Sequence, residues 1–135
     1  MTNQFKIGQS AMLSKIFTSA DVIEFSKLSL DTNPIHLDIE HARNTIFKKP
    51  IVHGYLSGSL ISAVIANHLP GPGSIYLNQV MNFKSPVYHG EEISAVVTIR
   101  DIKHEKSIIY LDTNCYNKNQ DLVIEGTAVI KIIKL

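Results

Sequence analysis

Between Pro50 and Phe83 the chain carries no aspartate, glutamate, lysine or arginine, and this run limits the fold more than any other feature. Within it, Gly54 to Leu69 is apolar nearly all round. Leu56, Leu60, Ile61, Val64 and Ile65 are interleaved with the small residues Gly58, Ser59, Ser62, Ala63 and Ala66. A helix of that composition has no polar face to offer water, so it must be enclosed on most sides. It falls short of the roughly 20 residues that a membrane-spanning helix requires. It also holds Asn67 and His68 and ends in Pro70-Gly71-Pro72-Gly73. The reading is a helix that begins at Gly54 and is buried inside a soluble domain, with no membrane partner.

The chain downstream supplies what can enclose it. Ser74 to Phe83, Ile93 to Lys103, Ser107 to Tyr116 and Leu122 to Ile133 are rich in Ile, Val, Tyr and Thr, the composition of strands. Turn signals at Tyr88-His89-Gly90, Lys103-His104-Glu105 and Asn117-Lys118-Asn119 separate them, the last two short enough for hairpins. Upstream, Ala11 to Phe17 reads as a short strand. Thr18 then caps a helix, because Asp21 stands three residues on, close to a capping box. That helix runs to about Leu28 with Val22, Phe25 and Leu28 as its apolar stripe and stops near Ser29. Asp31-Thr32-Asn33-Pro34 follows as a loop. Asp38 caps a second short helix through Glu40, Ala42 and Arg43 to about Phe47. One strand, three helices and four strands give an α+β order: a single domain over residues 1–135, with a long central helix wrapped by an antiparallel sheet.

Composition removes several function classes. The 135 residues are 44% hydrophobic and 19% charged with a formal net charge of +1, a globular balance that gives nucleic acid no basic surface to bind. The single cysteine, Cys115, rules out an internal disulfide and any cysteine-rich zinc cluster, which fits a reducing compartment. The start of the chain lacks the basic and then apolar stretch of a secretory signal, so a cytoplasmic location is expected. Glycine loops for nucleotides and the Gly-x-Ser-x-Gly elbow are absent, and Cys115 falls in a strand, so covalent catalysis is not expected.

The densest polar cluster is Asp31, Asn33, His36 and His53, followed at once by Gly54. A carboxylate and an imidazole five residues apart across a proline-fixed turn can converge on one water, one group accepting a proton while the other donates. The plain alternative makes Asp31 a turn residue and His36 a surface or capping residue. Gly54 has two readings as well: close packing or capping, or a helix start whose free N–H groups hold a carbonyl oxygen gaining charge. His53 reads as a structural hydrogen-bonding residue with no catalytic role. His41, His68, His89 and His104 show no metal-ligand spacing, and no metal site is expected.

The string Phe25-Ser26-x-Leu28-Ser29-x-Asp31-x-Asn33-Pro34-Ile35-His36-x-Asp38, then Ala42, Phe47 and Pro50-Ile51-Val52-His53-Gly54, resembles the (R)-specific enoyl-CoA hydratases, the MaoC-like or hydratase 2 family. The later Asn82-Phe83-x-x-Pro86-Val87-x-x-Gly90-Glu91 is similar to the family's strand-turn signature, and the resemblance extends from about residue 11 to the end of the chain. Glu91 departs from it, standing at a turn position where aspartate is commoner.

The resemblance implies a hot-dog fold and a homodimer whose two sheets join into one. It also implies reversible syn hydration of a trans-2-enoyl thioester of CoA or acyl carrier protein to the (R)-3-hydroxyacyl thioester, with no cofactor. Carried onto this sequence, Asp31 is the base on water and His36 the proton donor to the α-carbon, though the two roles could be exchanged. Asn33 holds the loop and the water, and the Gly54 N–H forms the oxyanion hole. Ser62 matches a position near the aspartate or is a small packing residue. Ile65 and Ile130 limit the acyl tunnel, their bulk favouring short chains. The competing functions are a hot-dog thioesterase, whose usual layouts lack the Asp-x-Asn-Pro-x-His loop, and a non-catalytic acyl-CoA-binding module, which would lack the dyad.

Overall fold

The computed structural model describes residues 1–135. In chain order it forms β1 (Ser10–Ile16), α1 (Ser19–Ser29), α2 (Pro34–Leu37), α3 (Ile39–Arg43), α4 (Gly54–Asn67), β2 (Ser74–Phe83), β3 (Glu92–Lys103), β4 (Ile108–Asn117) and β5 (Leu122–Ile132). All five strands pair antiparallel in one sheet of order β1-β3-β4-β5-β2. Every second residue of β3 and β4 is buried: Ile93, Ala95, Val97 and Ile99 on one, Ile109, Leu111, Thr113 and Cys115 on the other. That two-residue period is what a sheet with one covered face requires.

The cover is α4, which packs against strands β1 to β4 and buries Leu56, Leu60, Ile61, Val64 and Ile65. Each such side chain taken out of water contributes about 1.5–3 kcal/mol, so this helix and the sheet face it fills dominate the stability. The α+β hot-dog architecture expected from the sequence is the one the chain adopts, and no helix is long and apolar enough to cross a membrane. Cys115 is fully buried in β4, and burial pushes its thiol up to about 12, so it is an inert core residue.

The capping box at the start of α1 is present in full. Thr18 Oγ1 accepts from Asp21 N, and Asp21 Oδ2 accepts from Thr18 N. Leu28, expected on the core side, is instead 84% exposed, and the buried positions of α1 are Val22 and Ser26. The reason is helical phase: at about 100° per residue, Val22 and Ser26 share a face and Leu28 is carried well round from it. The loop Asp31–Pro34 is shorter than expected, because Pro34 sits at the first position of α2 with Asn33 Oδ1 capping the N–H of Ile35. Asp38 caps α3 as expected, through the N–H of His41. That helix ends at Arg43 rather than near Phe47. The side chains of Asn44 and Thr45 donate to the carbonyls of Glu40 and Ala42 and close it off.

Two of the three connections between the later strands are hairpins as expected, but β2 pairs with β5, so residues 84–91 cross the end of the sheet to reach β3. This crossing lies beside the segment leading into α4, through Val52 N donating to Val87 O and the bridge of Ile51 with Tyr88. Glu91 serves its turn, its carboxylate accepting from Tyr88 N. The β2–β5 seam is tight at Gly126, where a Cβ would collide with the carbonyl oxygen of Val80. Gly126→Ala is therefore expected to lower unfolding stability by at least about 2 kcal/mol, since neither backbone can yield. Urea unfolding checks it, and a change under 0.5 kcal/mol, the size of an ordinary surface substitution, is the contrary result.

Candidate active site

Three polar residues meet where α1, α2 and the start of α4 converge. His36 is on α2, 9% exposed, and its Nδ1–H donates to the carbonyl of Ile51 at 2.9 Å. A carbonyl only accepts, so Nδ1 carries its hydrogen in either charge state and Nε2 alone is free to exchange a proton. Asp31, one residue past the left-handed C-cap Leu30, keeps its carboxylate exposed, with a long contact of 3.4 Å to Asn33 N. Acidic oxygen and ring nitrogens of Asp31, His36 and His53 all lie within 4.8 Å of one another.

His53 is 1% exposed and its ring stacks on that of His36, centroids 3.9 Å apart and planes tilted by 26°. Its Nε2–H donates to the carbonyl of Asp31 at 3.1 Å and lies 3.0 Å from Ser26 Oγ. The edge of Phe25 abuts the ring at 4.9 Å between centroids. Burial, ahead of the favourable Asp31 carbonyl, holds its pKa below the usual imidazole value. The cluster resembles a metal site only in composition. A metal must lie in the plane of each ligating ring at about 2 Å from nitrogen, and stacked planes tilted by 26° do not meet within that reach.

Two cavities open beside the cluster, one of about 670 Å³ and one of about 470 Å³, and Asp31 and Tyr55 line both. The larger is walled by Gly58, Ser59 and Ser62 of α4 and by Met81 of β2. The smaller is walled by His53, Gly54 and Ser57 at the helix start and by Phe83 and Lys84 opposite. Small residues on α4 are what admit these walls. A Cβ at Gly54 would stand 2.6 Å from the Phe83 ring, and one at Gly58 would stand 2.5 Å from Met81 Sδ. Glycine at 54 thus serves close approach, since its φ is not in the left-handed region. No side chain caps α4, so the N–H groups of its first turn remain available beside the smaller cavity.

Of the residues picked out from the sequence, Asp31, His36 and Gly54 are thus gathered in one place. Asn33 lies next to them with its side-chain oxygen committed to Ile35 N, and Ser62 shares the larger cavity with Asp31. Ile65 and Ile130 are 2% and 0% exposed inside the core and line neither cavity. Sequence reasoning gave His53 a structural hydrogen-bonding role, which its bond to the Asp31 carbonyl fits, and assigned no site role to Phe83, Met81 or Tyr55. The one signal for His53 was its position in the string immediately before Gly54.

A family model described as MaoC like domain matches residues 3–118. The chain is 44% identical to an (R)-specific enoyl-CoA hydratase from Aeromonas caviae over 94% of this chain and 95% of that protein. It is 42% identical to a mitochondrial 3-hydroxyacyl-[acyl-carrier-protein] dehydratase from Solanum lycopersicum, over 99% of this chain and 81% of that one. Among solved structures, an (R)-hydratase from A. caviae involved in PHA biosynthesis superposes with a TM-score of 0.93 at 43% identity, covering 96% of this chain and 98% of that one. Matched in sequence and in fold along nearly its whole length, the chain belongs to the MaoC-like family of hydratases and dehydratases.

Proposed function

We propose that this protein is an (R)-specific enoyl-CoA hydratase, adding water reversibly across a trans-2-enoyl thioester to give the (R)-3-hydroxyacyl thioester. One arrangement carries the reading. Asp31 stands at the junction of two cavities, a ring nitrogen of His36 is within 4.8 Å of its carboxylate, and the uncapped start of α4 is beside them. A substrate laid through both cavities has its reacting carbons at Asp31, its acyl tail toward Ser62 and its thioester toward Gly54.

A water bound by two hydrogen bonds of about 2.8 Å bridges a gap of that size. Asp31 takes a proton from the water as its oxygen bonds to the β-carbon. The π electrons of the double bond shift toward the α-carbon and the thioester oxygen, and Nε2–H of protonated His36 supplies the proton that completes the α-carbon. Both additions come from one side, so the outcome is syn. The proton left on Asp31 returns to His36, and one water has been consumed with no change of oxidation state. Negative charge on the thioester oxygen faces the Gly54 N–H, a donor of the kind commonly worth several kcal/mol to a transition state. Asn33 holds the loop through Ile35 N. CoA and acyl-carrier-protein thioesters share this chemistry, and relatives named for each resemble the chain to nearly the same extent.

The working unit is proposed to be a homodimer. β2 is an outer strand of the sheet and exposes Ile75, Leu77, Val80 and Phe83 by 44%, 55%, 45% and 52%. An unpaired apolar edge of that length is a surface that proteins cover. A second copy meeting it across a two-fold axis would join the two sheets and close over the α4–β2 cavities.

With crotonyl-CoA, Asp31→Asn and His36→Gln are each expected to lower kcat/KM at least about 100-fold while the fold is kept. Near-normal loss of enoyl absorbance in either variant removes the assignment, and thiol release without hydration makes the protein a thioesterase. The oxyanion donor is tested in a Phe83→Ala background, which clears the ring that a Cβ at Gly54 would meet. There Gly54→Pro, which lacks the N–H, should lose about 100- to 1,000-fold in kcat against Gly54→Ala, which keeps it. Equal rates place the donor elsewhere. Light scattering at micromolar concentration should give the mass of two chains, and a single-chain mass contradicts the dimer.

A further inference from the structure

We propose that His53 is the positioning residue of this site, holding both members of the dyad at once: its Nε2–H fixes the Asp31 loop through the Asp31 carbonyl, and its ring face fixes the His36 imidazole. The inference rests on the hydratase reading and assigns the one residue of the cluster that the mechanism leaves unused.

Three observations support it. His53 occupies the N-cap position of α4, where a side chain ordinarily turns onto the helix's own N–H groups, yet it makes no such bond. It reaches instead across 22 residues to the Asp31 carbonyl and across 27 to Ser26 Oγ. Second, the loop it holds has little else to hold it. Leu30 is in the left-handed region at φ 68°, and the only other bonds fixing Asp31 are local, Asp31 N to Ser29 Oγ and the long contact with Asn33 N. The carbonyl bond is thus the long-range tether of the catalytic carboxylate. Third, His53 Nδ1 is buried without a partner. A buried lone pair with no donor costs stability, and phenylalanine would fill the space without that cost. What the imidazole supplies and a phenylalanine would lack is the nitrogen bonded to the Asp31 carbonyl.

Asp31, His36 and His89 are the titratable groups that act on His53; burial, joined by the two histidines, lowers its pKa against the opposing Asp31 carbonyl and carboxylate and so favours the uncharged ring. An uncharged ring can lie flat on a His36 that becomes imidazolium in each cycle, where a second cation could not. Small displacements matter here. A shift of about 1 Å in a catalytic group commonly costs about 100-fold in rate.

The test separates the tether from the ring. A glutamine amide nitrogen reaches as far as Nε2, an asparagine nitrogen stops near Nδ1, and phenylalanine keeps the ring without a donor. With crotonyl-CoA, His53→Asn and His53→Phe should each lower kcat about 10- to 100-fold with KM changed less than about threefold, and His53→Gln, which restores the tether but not the ring face, should recover kcat to about fivefold below the parent. In an Asp31→Asn background, which keeps the carbonyl and removes the carboxylate chemistry, His53→Asn should cost less than about threefold more, as expected of groups acting as a unit. Hydrogen exchange of residues 29–37 should quicken at least about tenfold in the Asn variant and revert in the Gln variant. That exchange needs no turnover, so a parent protein that fails to hydrate crotonyl-CoA ends the hydratase reading while the exchange still decides the tether. Asn as active and as protected as Gln, a loss carried by KM, or an undiminished loss in the Asp31→Asn background each overturns the proposal. If His53→Phe does not fold, the Asn and Gln pair decides alone.

Discussion

Enclosure of α4 is the constraint on which everything else in this molecule depends. A helix with Leu56, Leu60, Ile61, Val64 and Ile65 buried has no stable position except against a large apolar surface, and the β3–β4 face supplies it. Fixing α4 there fixes its N-terminus at the end of the sheet where residues 84–91 cross, and so fixes where a dipole and free N–H groups point. Gly54 and Gly58 let Phe83 and Met81 of β2 approach the helix within distances that no side chain would allow. The same two glycines leave the space on either side of that contact from which the cavities are formed.

Several local costs fall close to this frame. Leu30 takes a left-handed conformation, α4 starts without a side-chain cap, and His53 Nδ1 and Ser57 Oγ are buried without partners. Other local rules are kept: Thr18 and Asp21 complete their capping box, Asp38 caps α3, and the buried positions of β3 and β4 alternate cleanly. Lys48, Ser107 and Gln120 also take left-handed conformations, and His89 Nε2 is also buried without a partner.

Legibility in the sequence follows the range of the interaction concerned. Capping at Thr18 and Asp38 is decided within three residues, and both were readable to the residue. Pro34 was readable as a restriction on Asn33, but that it opens α2 depends on Asn33 turning its side chain onto Ile35 N, a choice made when His36 docks on Ile51. Leu28 looked like a core residue because it repeats at helical spacing with Phe25. The phase was set by Val22 and Ser26, whose burial depends on what α1 packs against.

What the sequence determined by itself is every element but α2, the enclosed helix and the string that places Asp31, His36 and Gly54 on adjoining pieces of chain, since each rests on composition, period or spacing along the backbone. The pairing of β2 with β5 rather than β3, the stacking of His53 on His36, and the withdrawal of Ile65 and Ile130 into the core were decided by tertiary structure alone. Those outcomes join residues tens of positions apart, and their sign depends on packing, since an isoleucine faces a cavity or a core according to which neighbour fills the space first. Asp31 and His36 could therefore be picked out from the chain, while the contacts of His53 with both of them emerged only from the tertiary structure.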